Sequence, residues 1–588
     1  MKKFIYSIAA FATTVFGLTA CSSEEDVPSQ GTANDTYFEL TIGFPQEVYA
    51  RSTETTDNYD QGIEREYQVN KVSLFFFDAD DNQFVASKAD VPTYYTGSNF
   101  AQTTGDETYK LGVGYTTGAV LIQKSENLIQ DHNYHVYALA NVDKTNLPTL
   151  VAKADGVTGT TETEFLKTTM SATTEFDAKN KNLMKLVNSG VDEKNGVLGM
   201  PMSSRGYYQG DDATANNYTY ADFKYAVTNN KANPVKMVMY LERAYGRITL
   251  SAANDHSFTY PLWANEEGYN NNEVIGTITI EGYKVINKTL TYNTFRQVGN
   301  SKGEFFGFGK LGDGATASDS YLMTPTFTAF SADYSAATAN SNLMNSYNEG
   351  TINLVGWTKL AKGENVQTRT GANDYAILDY PAENAMERSH QVKGYTTGIL
   401  MKARITPDVK QISDYKVGAD IYGFDGKLYS KLSDIPGLNL KDDATNYRNY
   451  GVTKYPKGYC YYLYYVRHND NLVYPNVSHD ADAELMGDME FAIVRSNTYD
   501  LAITGFYLTT HTNPYPGGKP VPDYDPDKPD TPGTTPTPEN PDPETPYDPE
   551  DEDGFDPKED TEAEMNYMNV NIVVRPWIVR GQQVIPIQ

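Results

Sequence analysis

The sequence predicts an all-β chain built of β-sandwich domains. Three observations carry this. Apolar residues recur with period two in many short runs, the pattern of half-buried strands. Tyrosine is abundant, 46 residues against 3 Trp, among many Thr, Asn and Gly, a mixture that favours strands joined by turns. Helical signal is confined to two short stretches, TEFLKTTM (163–170) and KNLMKLVNSG (181–190). With 588 residues the chain has room for two or three domains, and no solenoid-type repeat is visible.

The N-terminus is read apart from the fold. Lys2 and Lys3 give a positive start, and Phe4 to Phe16 is an almost unbroken apolar run. That run is short of the ~20 residues a membrane-spanning helix needs, and it has the charge order of a secretory signal. Leu18-Thr19-Ala20-Cys21 fits the bacterial lipobox, in which Cys21 is lipidated and becomes the new N-terminus. The alternatives are an ordinary signal peptide with an incidental cysteine, or a membrane anchor. The acids after Cys21 resemble the surface-export signal of Bacteroidetes lipoproteins. Residues 1–20 are therefore expected to be a signal peptide, and the membrane is met only through the lipid of the precursor.

Residues 22–36 are small and polar and read as a tether. In YFELTIGF (37–44), Phe38, Leu40, Ile42 and Phe44 fall on one face of a strand that Pro45 stops. Arg51 then sits in VYARSTETTDNYDQG, a polar stretch open to proteolysis, with Ser52 after it. Further strands are expected in KVSLFFFDADDN, YHVYALANV, GTITIEGYKVIN, GILMKARITP and CYYLYYVRH. KMVMYLERAYGRITL (236–250) reads as one long strand, or two with a bend.

From Asn513 the composition turns to Pro, Asp, Glu and Thr. Such a segment buries no core and repels itself, so 513–562 reads as an extended acidic arm. Whether it is wholly flexible or packs on the second domain stays open. Order returns at the C-terminus, where Val570, Ile572 and Val574 alternate with Asn571, Val573 and Arg575, and Ile578 follows.

Charge and chemistry exclude several function classes. The net charge of −29 argues against nucleic acid, whose phosphates need Lys and Arg. There is no G-x-S-x-G, P-loop or H-E-x-x-H, so no enzyme and no cofactor is expected. His132 and His135 would point to opposite faces of a strand, so no metal is expected there. Asp78-x-Asp80-x-Asn82 opens like a calcium loop, but Gln83 stands where glycine is needed and Ala89 where the bidentate Glu is needed. A hairpin turn is the better reading. With Cys21 lipidated, Cys460 is left alone and is expected as a buried inert thiol.

Taken in order along the chain, several segments resemble the fimbrillins of Bacteroidales type V fimbriae, most closely the major structural subunit of the minor (short) fimbriae. They are the lipobox ending at Cys21, the strand before Arg51, VSLFFFDADDN, VLGMPMSS (197–204), LERAYGRITL, IVRSNTYDLAITGF (493–506) and NVNIVVRPWIV with its Pro576-Trp577. One match departs in spacing, because Ser496 separates Arg495 from Asn497. The resemblance covers essentially the whole chain.

The resemblance implies two transthyretin-like sandwich domains and a polymerisation mechanism. An arginine-specific protease removes the N-terminal strand, and the vacated groove accepts a C-terminal strand from the next copy. The cut is expected at Arg51/Ser52, with Arg65 as the fallback. The donor strand is expected to use Val570, Ile572, Val574, Trp577 and Ile578. The expected organisation is signal peptide 1–20, prosegment 21–51, N-terminal domain 52–231 and C-terminal domain 232–588, whose donor segment is 563–588. Expected partners are other copies of the chain, accessory fimbrial subunits, the protease, and host or bacterial surface receptors. The expected location is a surface fimbria reached through an outer-membrane lipoprotein precursor. Alternatives are an accessory tip or anchor subunit, or a non-polymerising glycan-binding lipoprotein. Burying four large apolar side chains contributes roughly 6–12 kcal/mol before ordering costs, so an incoming strand could replace what a departing one removes.

Overall fold

The computed structural model describes residues 36–44, 63–98, 101–104, 107–110, 113–122, 128, 131–172, 199–205, 221–225, 231–253, 255–264, 273–299, 305–308, 321–325, 343–344, 357–362, 364–368, 373–386, 390–444, 446–468, 489–508 and 568–576. The stretch 181–190 and the acidic arm 513–562 lie outside them.

The first large sheet is built from β1 (Thr36–Gly43), β2 (Lys71–Asp78), β3 (Phe84–Pro92), β4 (Tyr94–Ser98), β5 (Val113–Thr116), β6 (Val120–Ile122), β7 (Asn133–Ala140), β8 (Met202–Arg205), β9 (Ala221–Lys224) and β10 (Val235–Arg243). Its order is β3-β2-β7-β8-β10-β1-β5-β4, with β9 on β7 and β6 on β1. The sheet curls on itself. Phe38 of β1 meets Phe76 of β2 at 6.2 Å and Phe223 of β9 at 6.3 Å, both edge-to-face, although β1 and β2 are far apart in the order. These rings close the sandwich core.

Strand β2 is apolar on both faces for a local reason. Phe76 points into the sandwich, while Phe75 and Phe77 lie under Phe165, at 4.8 and 5.1 Å. Phe165 is carried by a one-turn helix, α1 (Glu162–Leu166), fixed by a capping box between Thr161 and Glu164. The acidic end of β2 forms a hairpin turn into β3, with Asn82 at a positive φ of 58°.

The second sheet contains β11 (Arg247–Ser251), β12 (Thr259–Trp263), β13 (Val274–Ile286), β14 (Val366–Gln367), β15 (Tyr375–Asp379), β16 (Gly398–Pro407), β17 (Tyr459–Tyr465), β18 (Asn497–Tyr507) and β19 (Met568–Pro576). Its order is β14-β15-β11-β18-β12-β13-β16-β17, with β19 on β18. It too curls, since Phe506 of β18 packs on Tyr260 and, at 4.4 Å, on Tyr462 of β17. The tyrosines of YCYYLYY are thus mostly core, and all but Leu463 of that strand are buried. The fold is all-β, as the strand periodicity predicts, with two sandwich units, as the resemblance implies.

KMVMYLERAYGRITL is two strands. β10 pairs in the first sheet and β11 in the second, so the chain passes between units at residues 244–246. The expected break between 231 and 232 precedes β10. The reason is visible in the pairing: β10 is the parallel neighbour of β1.

One glycine is fixed by packing. A Cβ on Gly505 would lie 1.9 Å from Cζ3 of Trp263, whose ring tilts over Tyr507 at 5.1 Å. Gly505→Ala should therefore lower stability by about 1–3 kcal/mol through forced repacking. Thermal unfolding followed by Trp fluorescence would check this, and an unchanged midpoint would contradict it.

Candidate functional site

Strand β1 is an interior strand. Along one edge it runs parallel to β10, from Phe38↔Val235 to Gly43↔Tyr240. Along the other it runs antiparallel to β6 (Thr36↔Ile122 to Phe38↔Val120) and to β5 (Thr41↔Thr116 to Gly43↔Gly114). Between those two ladders Thr117 keeps the edge continuous. Its N–H donates to the Leu40 carbonyl at 3.0 Å, and its Oγ1 accepts from the Leu40 N–H at 3.0 Å. Phe38, Leu40 and Ile42 are 0% exposed and Phe44 2%, so the four residues expected on one face do share the core. The Arg243 guanidinium lies 5.4 Å from the Phe44 ring centre.

Strand β19 is held differently. It pairs antiparallel with β18, from Asn497↔Pro576 to Phe506↔Met568, placing Val570, Ile572 and Val574 opposite Ile503, Leu501 and Tyr499. β11 and β12 occupy the opposite edge of β18. Among the described residues β19 has one neighbouring strand where β1 has them on both sides. Ile572 is half-buried against the second core. Trp577 and Ile578 lie outside the described residues, as do Cys21, Arg51 and Ser52.

Arg65, the fallback cleavage residue, leads to a buried junction. It sits in a 3-10 turn beside Glu66, which is 0% exposed. Glu66 Oε2 accepts from Arg247 Nη1 and from the Ile63 N–H, both at 2.8 Å, and Oε1 accepts from the Tyr380 hydroxyl. Its carbonyl accepts from Arg243 Nε at 2.9 Å. A second cluster lies alongside. Arg495 grips Glu383 through Nε (2.5 Å) and Nη2 (2.7 Å), and Arg296 pairs with Glu242 at 2.9 Å. Burial pushes the Glu383 carboxyl above its ordinary range, against the pull of Arg495. Such buried pairs add little over apolar packing, but removing one member costs about 3–5 kcal/mol. Ser496, the residue that broke the expected spacing, adopts a positive φ of 56° and binds the Tyr245 and Arg243 carbonyls.

The remaining candidates are structural contacts. Burial opposes ionisation of Asp78, but bonds from His132, the Asp80 N–H and Lys153 outweigh it and hold the carboxyl at about 2, below its usual 3.8. Asp78, Asp80 and His132 offer ligand atoms within 4.8 Å of one another. Lys153 already pairs with Asp78 at 3.1 Å and with Asp81, so a cation would have to displace an ammonium. His135 binds Glu162 at 3.0 Å. Cys460 is 0% exposed, and burial pushes its thiol pKa up.

Residues 453–583 match the family "Major fimbrial subunit protein type IV, Fimbrillin, C-terminal". The match takes in β17, β18 and β19. A search of curated proteins returned no match. Among solved structures, a cell adhesion protein from Parabacteroides distasonis ATCC 8503 aligns at 14% identity over 92% of this chain and 99% of its own, with a TM-score of 0.34. The fimbrilin (fimA) of Porphyromonas gingivalis W83 aligns at 13% identity over 92% and 98%, TM-score 0.29. The C-terminally truncated tip fimbrial protein Mfa3 of Porphyromonas gingivalis aligns at 10% over 81% and 96%, TM-score 0.29. These alignments are too distant to assign fold or function by themselves.

Sequence reasoning missed the walls of the β1 groove, the Thr117 bonds and the Glu66 cluster. No local pattern announces them, because each joins residues far apart in the chain. Two outcomes follow from the geometry. Leu40→Ala should cost the full chain about 2–5 kcal/mol in urea unfolding, and an unchanged midpoint would contradict its place in the core. Asp78, with its lowered pKa, contributes stability that is complete above pH ~4 and lost as pH falls towards 2. Asp78→Asn should give a lower melting temperature at neutral pH and a flatter profile between pH 4 and 2; an unaltered slope there would refute the assignment.

Proposed function

We propose that the chain is a structural subunit of a surface fimbria, exported as a lipoprotein on Cys21 and polymerised head to tail by strand exchange. The observation that carries this reading is the contrast between β1 and β19. β1 is a short interior strand whose loss opens two sheet edges and an apolar trough. β19 is an alternating apolar strand on a sheet margin, at the end of a long acidic segment. An exposed pair of edges demands a partner strand, and strand addition supplies one.

In this reading, water hydrolyses the Arg51–Ser52 bond in the active site of an arginine-specific protease. The new carboxylate leaves with the prosegment and the new ammonium stays on the subunit. Cys21 and its lipid lie in the released piece, so the cut frees the subunit from the membrane. β19 then leaves β18 and enters the groove of another copy, with Val570, Ile572 and Val574 taking the places of apolar residues of β1 and Trp577 and Ile578 extending the contact. The similarity of residues 453–583 to fimbrillin supports the assignment to a fimbrial subunit, with accessory subunits and surface receptors as further partners.

Two measurements test the reading. N-terminal sequencing of protein recovered from the cell surface should give Ser52. A lipidated Cys21 would instead indicate an anchor subunit or a non-polymerising lipoprotein. Deletion of residues 567–588 should abolish polymer ladders while leaving a folded monomer; intact polymers would overturn the proposal.

A further inference from the structure

An interior strand cannot leave a sheet as an edge strand does, by peeling from one neighbour. Either it slides along its axis past every side-chain pocket, or one wall moves. The pairing identifies which wall is free to move. β10, on one side of β1, is fastened to the sheet through β8, from Met202↔Arg243 to Arg205↔Tyr240. On the other side stand β5 and β6, with β4 on the outer edge of β5. Among the described residues, no ladder connects β4, β5 or β6 to the rest of the sheet except through β1. Lys88 Nζ reaches them from the sheet, donating to the Leu121 carbonyl at 2.7 Å, and the chain joins β3 to β4 through the single residue Thr93, whose N–H donates to the Asn70 carbonyl at 3.0 Å.

We propose that β4, β5 and β6 form a lid on the groove of β1, and that Thr117 is its clasp. The lid swings outward to release β1 and closes again on whichever strand replaces it. The chemistry of the clasp fits exchange between strands of different sequence. Two Thr117 bonds go to the main chain of residue 40, one to its carbonyl and one from its N–H, while the Thr117 Oγ1 donates to the Gly118 carbonyl at 2.9 Å. Any extended strand presents the same pair of groups, so the clasp holds the filler without reading its side chains. This inference deepens the strand-exchange reading and rests on it for the identity of the natural replacement strand. Motion of the lid does not depend on that identity.

The test uses the full chain with a site-specific protease sequence inserted after Arg51, so that cutting is independent of natural processing. Release of the β1 fragment is followed by mass spectrometry, and the sheet by amide hydrogen exchange. The uncut chain should protect amides 113–122. Loss of β1 should expose them while β2, β7 and β8 stay protected, and a synthetic peptide of residues 36–45 should restore protection. Thr117→Val keeps the shape but removes the acceptor, and should speed β1 release about tenfold. Thr117→Ser keeps the acceptor and should release at close to the parent rate. The lid is refuted if amides 113–122 stay protected after β1 has gone, or if Val and Ser variants release alike. A peptide of residues 567–588 run alongside separates the two ideas: if peptide 36–45 recloses the lid and 567–588 does not, the lid stands and strand exchange by β19 falls.

Discussion

The two-sided pairing of β1 is the constraint on which the first sandwich depends. A strand at a sheet margin can be lost with one row of backbone groups exposed. β1 joins β10 to β5 and β6, so its main chain supplies both walls at once. Its side chains also close the core, where Phe38 meets Phe76 and Phe223 from the opposite side. Backbone satisfaction and apolar burial therefore depend on the same eight residues, and any strand that replaces them has to provide both.

The second sandwich has no such keystone at its C-terminal strand. β18 is already paired on one edge with β11 and β12, and its core residues Tyr499, Leu501 and Phe506 are buried. Moving β19 away would open a single edge of an otherwise complete sheet. Under the proposed strand exchange, this asymmetry sets a direction. The strand whose departure costs least belongs to the donor side, and the groove whose vacancy costs most belongs to the acceptor side. A net charge of −29 makes copies of the chain repel one another, which opposes association that lacks a specific contact.

Much of this was legible in the sequence where one residue's environment repeats along a strand. Phe38, Leu40, Ile42 and Phe44 announce a buried face by period two, and each is buried. The all-β class follows from the same periodicity, and the turn after β2 from its Asp and Asn residues. The pairing of strands was not legible. KMVMYLERAYGRITL carries no signal that its first half serves one sheet and its second half another. Nor does IVRSNTYDL say that Ser496 takes a left-handed conformation to bind the Tyr245 carbonyl. The burial of Arg243, Arg247 and Arg495 was not legible either, because charge favours exposure unless a partner is known, and their partners lie 100 or more residues away.

The junction bears on where a prosegment could end. Cleavage after Arg65 would make Glu66 a chain terminus. Its carboxylate holds Arg247 and Tyr380, its carbonyl holds Arg243, and Ile63 binds back to it. A protease needs several residues in extended form across its cleft, which here means dismantling the contact between the two sandwiches. It would also place a new ammonium group beside buried guanidinium groups, a like-charge arrangement with no solvent to screen it. Under the proposed processing, a cut at Arg51 avoids both penalties. It leaves Glu66 still clamped, so that β1 can depart while the bonds of Glu66 to Arg247 and Tyr380 hold the two units together.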